Sequence, residues 1–165
     1  GLRSASFKKE ILSRLAQACT HSCPVVGFET QVMLPTHREL FGHFEVLSVD
    51  DSLANHVVLG EVLQHTGYKF SQCMLGCEAL ALIATRGYLP DVVLLDILMP
   101  NMNGYEVCKE LRKRYPCAKL PVIMISAKDR EEDICEGFEN GCTDYLCKPF
   151  RRDELLARVA SHLRH

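Results

Sequence analysis

Five side chains in this sequence could do chemistry together: the adjacent acids Asp50 and Asp51, the acid Asp96, the hydroxyl of Ser126 and the ammonium of Lys148. Each follows a short apolar run: Phe44 to Val49, Val92 to Leu95, Pro121 to Ile125 and Thr143 to Cys147. If those runs are neighbouring parallel strands, the residues that end them gather on one rim of the sheet, where folds of this kind bind ligands. Three crowded carboxylates repel one another unless a cation compensates them. An all-oxygen ligand set suits a hard dication, Mg²⁺ or Mn²⁺, that keeps several waters. Lys148 adds a fixed positive charge and Ser126 a hydroxyl, so the same rim can receive an anion with tetrahedral oxygens, most simply a phosphoryl group. With its charge neutralised there, Asp96 can attack as a carboxylate nucleophile and become an acyl phosphate.

The elements needed to position these groups are legible. After Asp51, Ser52 can cap a helix running to about Thr66 and closed by Gly67. Tyr68 to Met74 reads as a strand and Cys77 to Thr85 as a helix. Tyr105 to Tyr115 reads as a helix ended by Pro116, Glu131 to Asn140 as one closed by Gly141, and Asp153 to Leu163 as a last amphipathic helix. Val92 to Leu95 is apolar without alternation, as a central strand covered on both faces should be. Strand and helix alternate throughout, which predicts an α/β fold: one open five-stranded parallel sheet with right-handed crossovers and helices on both faces.

Ahead of this pattern, residues 6–19 carry apolar side chains at helical spacing behind Ser6, and 20–42 lose all periodicity among Pro24, Gly27, Pro35 and Gly42. The expected organisation is an N-terminal helix and linker or arm over 1–42, then one domain over 43–165. A first residue of Gly1 points to a fragment excised from a longer polypeptide. With 19 basic and 21 acidic residues, nothing in the overall charge argues for direct nucleic-acid binding. No apolar run is long enough to cross a membrane. Most of the nine cysteines lie in or beside apolar periodic segments, which favours a reducing, cytoplasmic setting. Cys19 with Cys23, and Cys73 with Cys77, lack the paired short spacing of a structural zinc site.

Taken together, the strand-end residues resemble the receiver domains of two-component response regulators over about Phe44 to Leu163. Asp50-Asp51 is similar to the family's acidic pair, and Leu94-Leu-Asp-Ile-Leu-Met-Pro-Asn-Met-Asn-Gly104 to its phosphoacceptor strand and loop. Ser126 and Tyr145 match its switch hydroxyl and switch aromatic, and Lys148-Pro149-Phe150 its Lys-Pro-Phe corner. The resemblance implies a flavodoxin-like strand order 2-1-3-4-5. It implies Asp96 as phosphoacceptor, with Asp50, Asp51, Asp96 and the backbone carbonyl of Leu98 holding Mg²⁺. Ser126 and Tyr145 would rearrange on phosphorylation, Tyr145 rotating inward, and the readout face would be the helix at 131–140, the strand at 143–147 and the helix at 153–163. Leu98 and Lys128 occupy positions that tune dephosphorylation, and a long Lys128 over the pocket should hinder water. The implied partner is a histidine kinase or phosphotransfer domain, in the same polypeptide if the parent is a hybrid histidine kinase. An output such as a nucleotide cyclase, and dimerisation, are compatible with it. Such a domain is no enzyme beyond its own phosphorylation and dephosphorylation.

Each residue also has an ordinary reading. Asp51 and Ser126 could merely cap helices, Tyr145 could be a half-buried aromatic and Lys148 a solvated cation; the convergence of all of them outweighs this. A phosphatase with a strand-end Asp nucleophile would want a second acid where Leu98 stands. A pseudo-receiver that only mediates contacts would lack an acid, the Lys or the hydroxyl. His21, His37, His43, His56 and His65 show no partner pattern and receive no role. Cys142 stands where the family has a small Ala, a change of packing alone.

Overall fold

The computed structural model of the chain describes residues 34–163; the helix expected over 6–19 lies outside them. Five parallel strands, β1 (Glu45–Val49), β2 (Lys69–Cys73), β3 (Val92–Asp96), β4 (Val122–Ser126) and β5 (Asp144–Cys147), form one sheet in the order 2-1-3-4-5. This is the order and class expected from the sequence.

Period-two alternation divides the three central strands between two cores. Leu47, Val49, Val93, Leu95, Val122 and Met124 pack with Ile83 of α3 (Gly76–Thr85) and Val107 and Leu111 of α4 (Gly104–Arg112). Val46, Val92, Leu94, Ile123 and Ile125 face the other way, onto Leu59 and Leu63 of α2 (Leu53–Leu63) and Leu155 and Val159 of α6 (Arg152–Leu163). A strand buried on both faces must be apolar at every position, which is why β3 shows no polar alternation before Asp96. The remaining helix, α5 (Glu131–Glu139), lies between β4 and β5 in sequence.

Local chemistry places the helix starts close to the rim. Ser52 caps α2 by accepting from Asn55 N. Asn103 caps α4 in a reciprocal box with Glu106. Gly104 is required there: a Cβ would collide with the carbonyl of Asp96 and lie 2.8 Å from Cα of Ile97, so only glycine lets α4 start against the end of β3. The parallel register aligns Asp96 with Ile125 and Ser126 with Cys147, bringing the strand ends to a common edge.

Of the segment expected as linker or arm up to Gly42, residues 34–42 are described, and they pack against the domain. The compact unit begins at Leu34. Thr36 forms a parallel bridge with Leu89, with His37 N donating to Leu89 O at 2.7 Å and Leu89 N to Pro35 O at 2.8 Å. A one-turn helix, α1 (His37–Phe41), follows, capped by Thr36 with Glu39 and ended by Gly42 at φ 78°. Asp91 accepts from Arg38 N and from Glu45 N, tying α1 to the start of β1. His37, given no role from the sequence, is buried, with Nδ1 2.9 Å from His43 O. The segment is too short to show periodicity, so its place is set by these tertiary bonds. A chain starting at Leu34 should therefore be more stable in urea than one starting at His43 by roughly 2–4 kcal/mol, from the lost backbone bonds and the burial of His37; equal midpoints would show that α1 contributes nothing.

Candidate functional site

Of the residues singled out from the sequence, Asp50, Asp51, Asp96 and Lys148 converge on the carboxyl rim of the sheet. The three acids can each present a carboxylate oxygen within 4.8 Å of the others. Asp50 and Asp96 are buried and Asp51 is exposed. Lys148 Nζ lies 3.3 Å from Asp50 Oδ2 and 3.5 Å from Asp96 Oδ1, one ammonium shared at long range between two acids. Asp50 is further held by Ser52 N on Oδ1 and by Asn55 Nδ2 on Oδ2, both at 2.8 Å.

Burial pushes the Asp96 carboxyl above its ordinary range. Lys148 opposes this, and the neighbouring Asp50 reinforces it. Three acids therefore cluster in a partly desolvated place where the Lys148 ammonium reaches two of them. An oxygen-only set with excess negative charge fits a hard divalent ion, and such an ion would lift the penalty that Asp96 carries. Beside the acids, a cleft of about 260 Å³ runs between α2 and the β5–α6 connection, bordered by Asn55, Val58, Leu59, Lys148 and Phe150.

The hydroxyl and the aromatic form a second group. Ser126, wholly buried as the last residue of β4, accepts from Lys128 N at 3.2 Å. Tyr145 is buried, and its OH donates to the Lys128 carbonyl at 2.8 Å. Gly137 of α5 packs directly on the Tyr145 ring, where a Cβ would come within 3.0 Å of Cδ2. The inward place that the sequence reading reserved for Tyr145 after phosphorylation is thus the place it occupies here.

Two expectations change. Lys128 is not poised over the acids: its Nζ pairs with Asp133 Oδ1 at 2.8 Å and sits 5.4 Å from the centroid of the Tyr105 ring. Its charge is taken up by a carboxylate in the first turn of α5 and by an aromatic face. Leu98 is 55% exposed in the loop after β3. His56 is no idle residue either; it is 1% exposed, with Nε2 2.8 Å from the backbone oxygen of Asp50.

A model of the response regulator receiver domain matches residues 46–160. The chain belongs to that family. Among solved structures, the receiver domain of a Francisella response regulator is 36% identical, with a TM-score of 0.67 over 74% of this chain and 98% of its own. The Vibrio cholerae chemotaxis protein CheY4 is 32% identical, with a TM-score of 0.66 over 73% and 99%. A protein described as a two-component system response regulator with a GGDEF domain is 31% identical, with a TM-score of 0.69 over 75% of this chain and half of its own length. Cys142, the departure from the small residue usual in receivers, is buried in the core as a thiol that burial pushes up to about 12.

Asn55, His56, Tyr105 and Asp133 were missed from the sequence. Asn55 had a usable signal: it lies three residues after the cap Ser52, where side chains reach back toward the cap. Tyr105 reaches Asp133 from far along the chain, and the local contacts of His56 with Asp50 and of Asp133 with Lys128 follow no capping or periodic pattern.

The raised Asp96 carboxyl makes a prediction for receiver stability. A group whose ionisation is disfavoured in the folded state binds more protons there than in the unfolded chain, so its contribution falls as pH rises through the carboxylate range. Asp96→Asn should therefore melt above wild type at pH 7 in metal-free buffer, the gap narrowing as pH falls through that range; a gap independent of pH would place the penalty elsewhere.

Proposed function

We propose that this receiver takes a phosphoryl group on Asp96 from a phosphohistidine of a histidine kinase or phosphotransfer domain, and that the change in charge alters its readout face. The observation that supports this best is the convergence of Asp50, Asp51 and Asp96, with the Lys148 ammonium shared between Asp50 and Asp96. Asp50, Asp51 and Asp96, with the Leu98 carbonyl, would hold Mg²⁺ or Mn²⁺, which when bound screens the charge of the incoming phosphoryl oxygens. A carboxylate oxygen of Asp96 forms the new O–P bond as the donor's N–P bond breaks, and the histidine nitrogen leaves with the electron pair. Lys148 then pairs with a phosphoryl oxygen, and Ser126 Oγ donates to another.

The product carries about −2 charge where a carboxylate carried −1. Moving a two-state population from 1:99 to 99:1 takes about 5.5 kcal/mol, within reach of two or three charge-assisted hydrogen bonds. Since Tyr145 already lies inward, the phosphoryl group would lock this arrangement rather than build it. The readout face is α5, β5 and α6, a surface on which dimerisation could also occur. Exposed Leu53, Val57 and Val58 on α2, next to the rim, offer the donor an apolar surface. The domain catalyses only its own phosphorylation and dephosphorylation and works in the cytoplasm. Its parent is a hybrid histidine kinase, with residues 1–42 as the upstream connection and a nucleotide cyclase as a candidate output; one structural neighbour couples a response regulator to a GGDEF domain.

Acetyl phosphate with Mg²⁺ should label the wild-type chain with a hydroxylamine-sensitive phosphoryl group, and Asp96→Asn should remove all of that label. Label that survives in the variant, or forms equally in EDTA, would exclude this reading. With Lys128 tied to Asp133, protection from water rests on Leu98, so the label should persist for minutes or longer and Leu98→Asn should shorten its life several-fold. A wild-type half-life of seconds contradicts that role.

A further inference from the structure

The first turn of α2 closes around Asp50 from two sides. Asn55 Nδ2 donates to Asp50 Oδ2 at 2.8 Å, and the next residue, His56, places Nε2 2.8 Å from the backbone oxygen of Asp50. Ser52 N completes the grip on Oδ1 at 2.8 Å. A ring nitrogen that close to a carbonyl must carry the hydrogen. Nδ1 of His56 is then left buried with no hydrogen-bond partner. An orphaned buried nitrogen costs stability. An apolar residue in the same place would avoid that cost, but it could not hold the Asp50 carbonyl.

We propose that Asn55 and His56 are positioning residues for the metal-binding carboxylate of Asp50, fixing its side chain and its backbone so that the remaining lone pairs face Asp51 and Asp96. The inference rests on the reading of the acids as a metal site. Asn55 also governs Lys148. Asp50 Oδ2 receives both Asn55 at 2.8 Å and Lys148 at 3.3 Å, and Lys148 stands 3.5 Å from Asp96. Without the amide, Asp50 Oδ2 has Lys148 as its remaining donor and draws the ammonium closer. That shift takes Lys148 from Asp96 and sets a positive charge against the face where the dication binds. Partners that orient metal ligands typically change affinity by 10- to 100-fold when removed.

Mg²⁺ affinity of the full chain, measured by calorimetric titration with no phosphoryl donor present, tests this. Asn55→Ala and His56→Leu should each weaken Mg²⁺ binding about tenfold, at the lower end of that range. His56→Gln, whose amide can still reach the carbonyl, should bind within about threefold of wild type. Leu163→Ala removes a core side chain of α6 at the opposite end of the sheet, where it borders a cleft with Thr36 and Pro121. It should lower the melting temperature and leave Mg²⁺ affinity unchanged. Affinity within threefold of wild type in both Asn55→Ala and His56→Leu, or an equal loss in Leu163→Ala, overturns the proposal. A wild-type chain that binds no Mg²⁺ saturably would defeat the metal reading itself, and the positioning role with it.

Discussion

The constraint on which this domain depends is the gathering of like charge at the end of a buried sheet. β3 is covered on both faces and ends in Asp96, whose carboxyl is driven up by burial. Placing Asp50 and Asp51 within reach of it makes the electrostatics worse, and a single Lys148 stretched between two acids at 3.3 and 3.5 Å does not restore balance. A fold optimised for stability alone would not keep three acids there. The surroundings are arranged to tolerate the imbalance: backbone and amide donors on Asp50, a cap at Ser52, and a glycine at 104 that lets α4 begin against the carbonyl of Asp96.

The second consequence is a short mechanical chain leading away from the rim. Ser126 Oγ receives the amide of Lys128, the Lys128 carbonyl receives the Tyr145 hydroxyl, and the Lys128 ammonium holds Asp133 in the first turn of α5. Tyr105 closes the loop by donating to the Asp133 carbonyl at 3.0 Å. α5 has no side-chain cap of its own at Arg130. Its start is instead organised by residues that also touch Ser126 and Tyr145, so a displacement of either is transmitted to α5.

Most of the fold was legible because local signals carry it. Short unbroken apolar runs mark the central strands, caps, closing glycines and helical spacing mark the helices, and strand ends are marked by the polar residues that stop apolar runs. The acids were legible for the same reason, since parallel strands force their ends together. α1 was not, because five residues among Pro35 and Gly42 have no period and are placed by Leu89 and Asp91, far along the chain. The direction taken by Lys128 was equally hidden. Position in the loop puts its backbone beside Ser126, but the competition between Asp133, the Tyr105 ring and the rim for its ammonium is a matter of distances that no spacing rule contains.

The two ends of the sheet divide the work. The acids occupy the carboxyl rim, whereas Thr36, where the described chain enters, and Leu163, where it leaves, border one cleft of about 390 Å³ beside the start of β4. A change at the rim must therefore cross the body of the domain to reach Thr36 or Leu163. The routes available are rigid elements with two-sided contacts. α6 is one: its Arg158 and His162 both bind Asp144 at the start of β5, the strand that carries Tyr145 and leads to Lys148. An event at the rim that shifts β5 is thereby felt along α6 as far as His162.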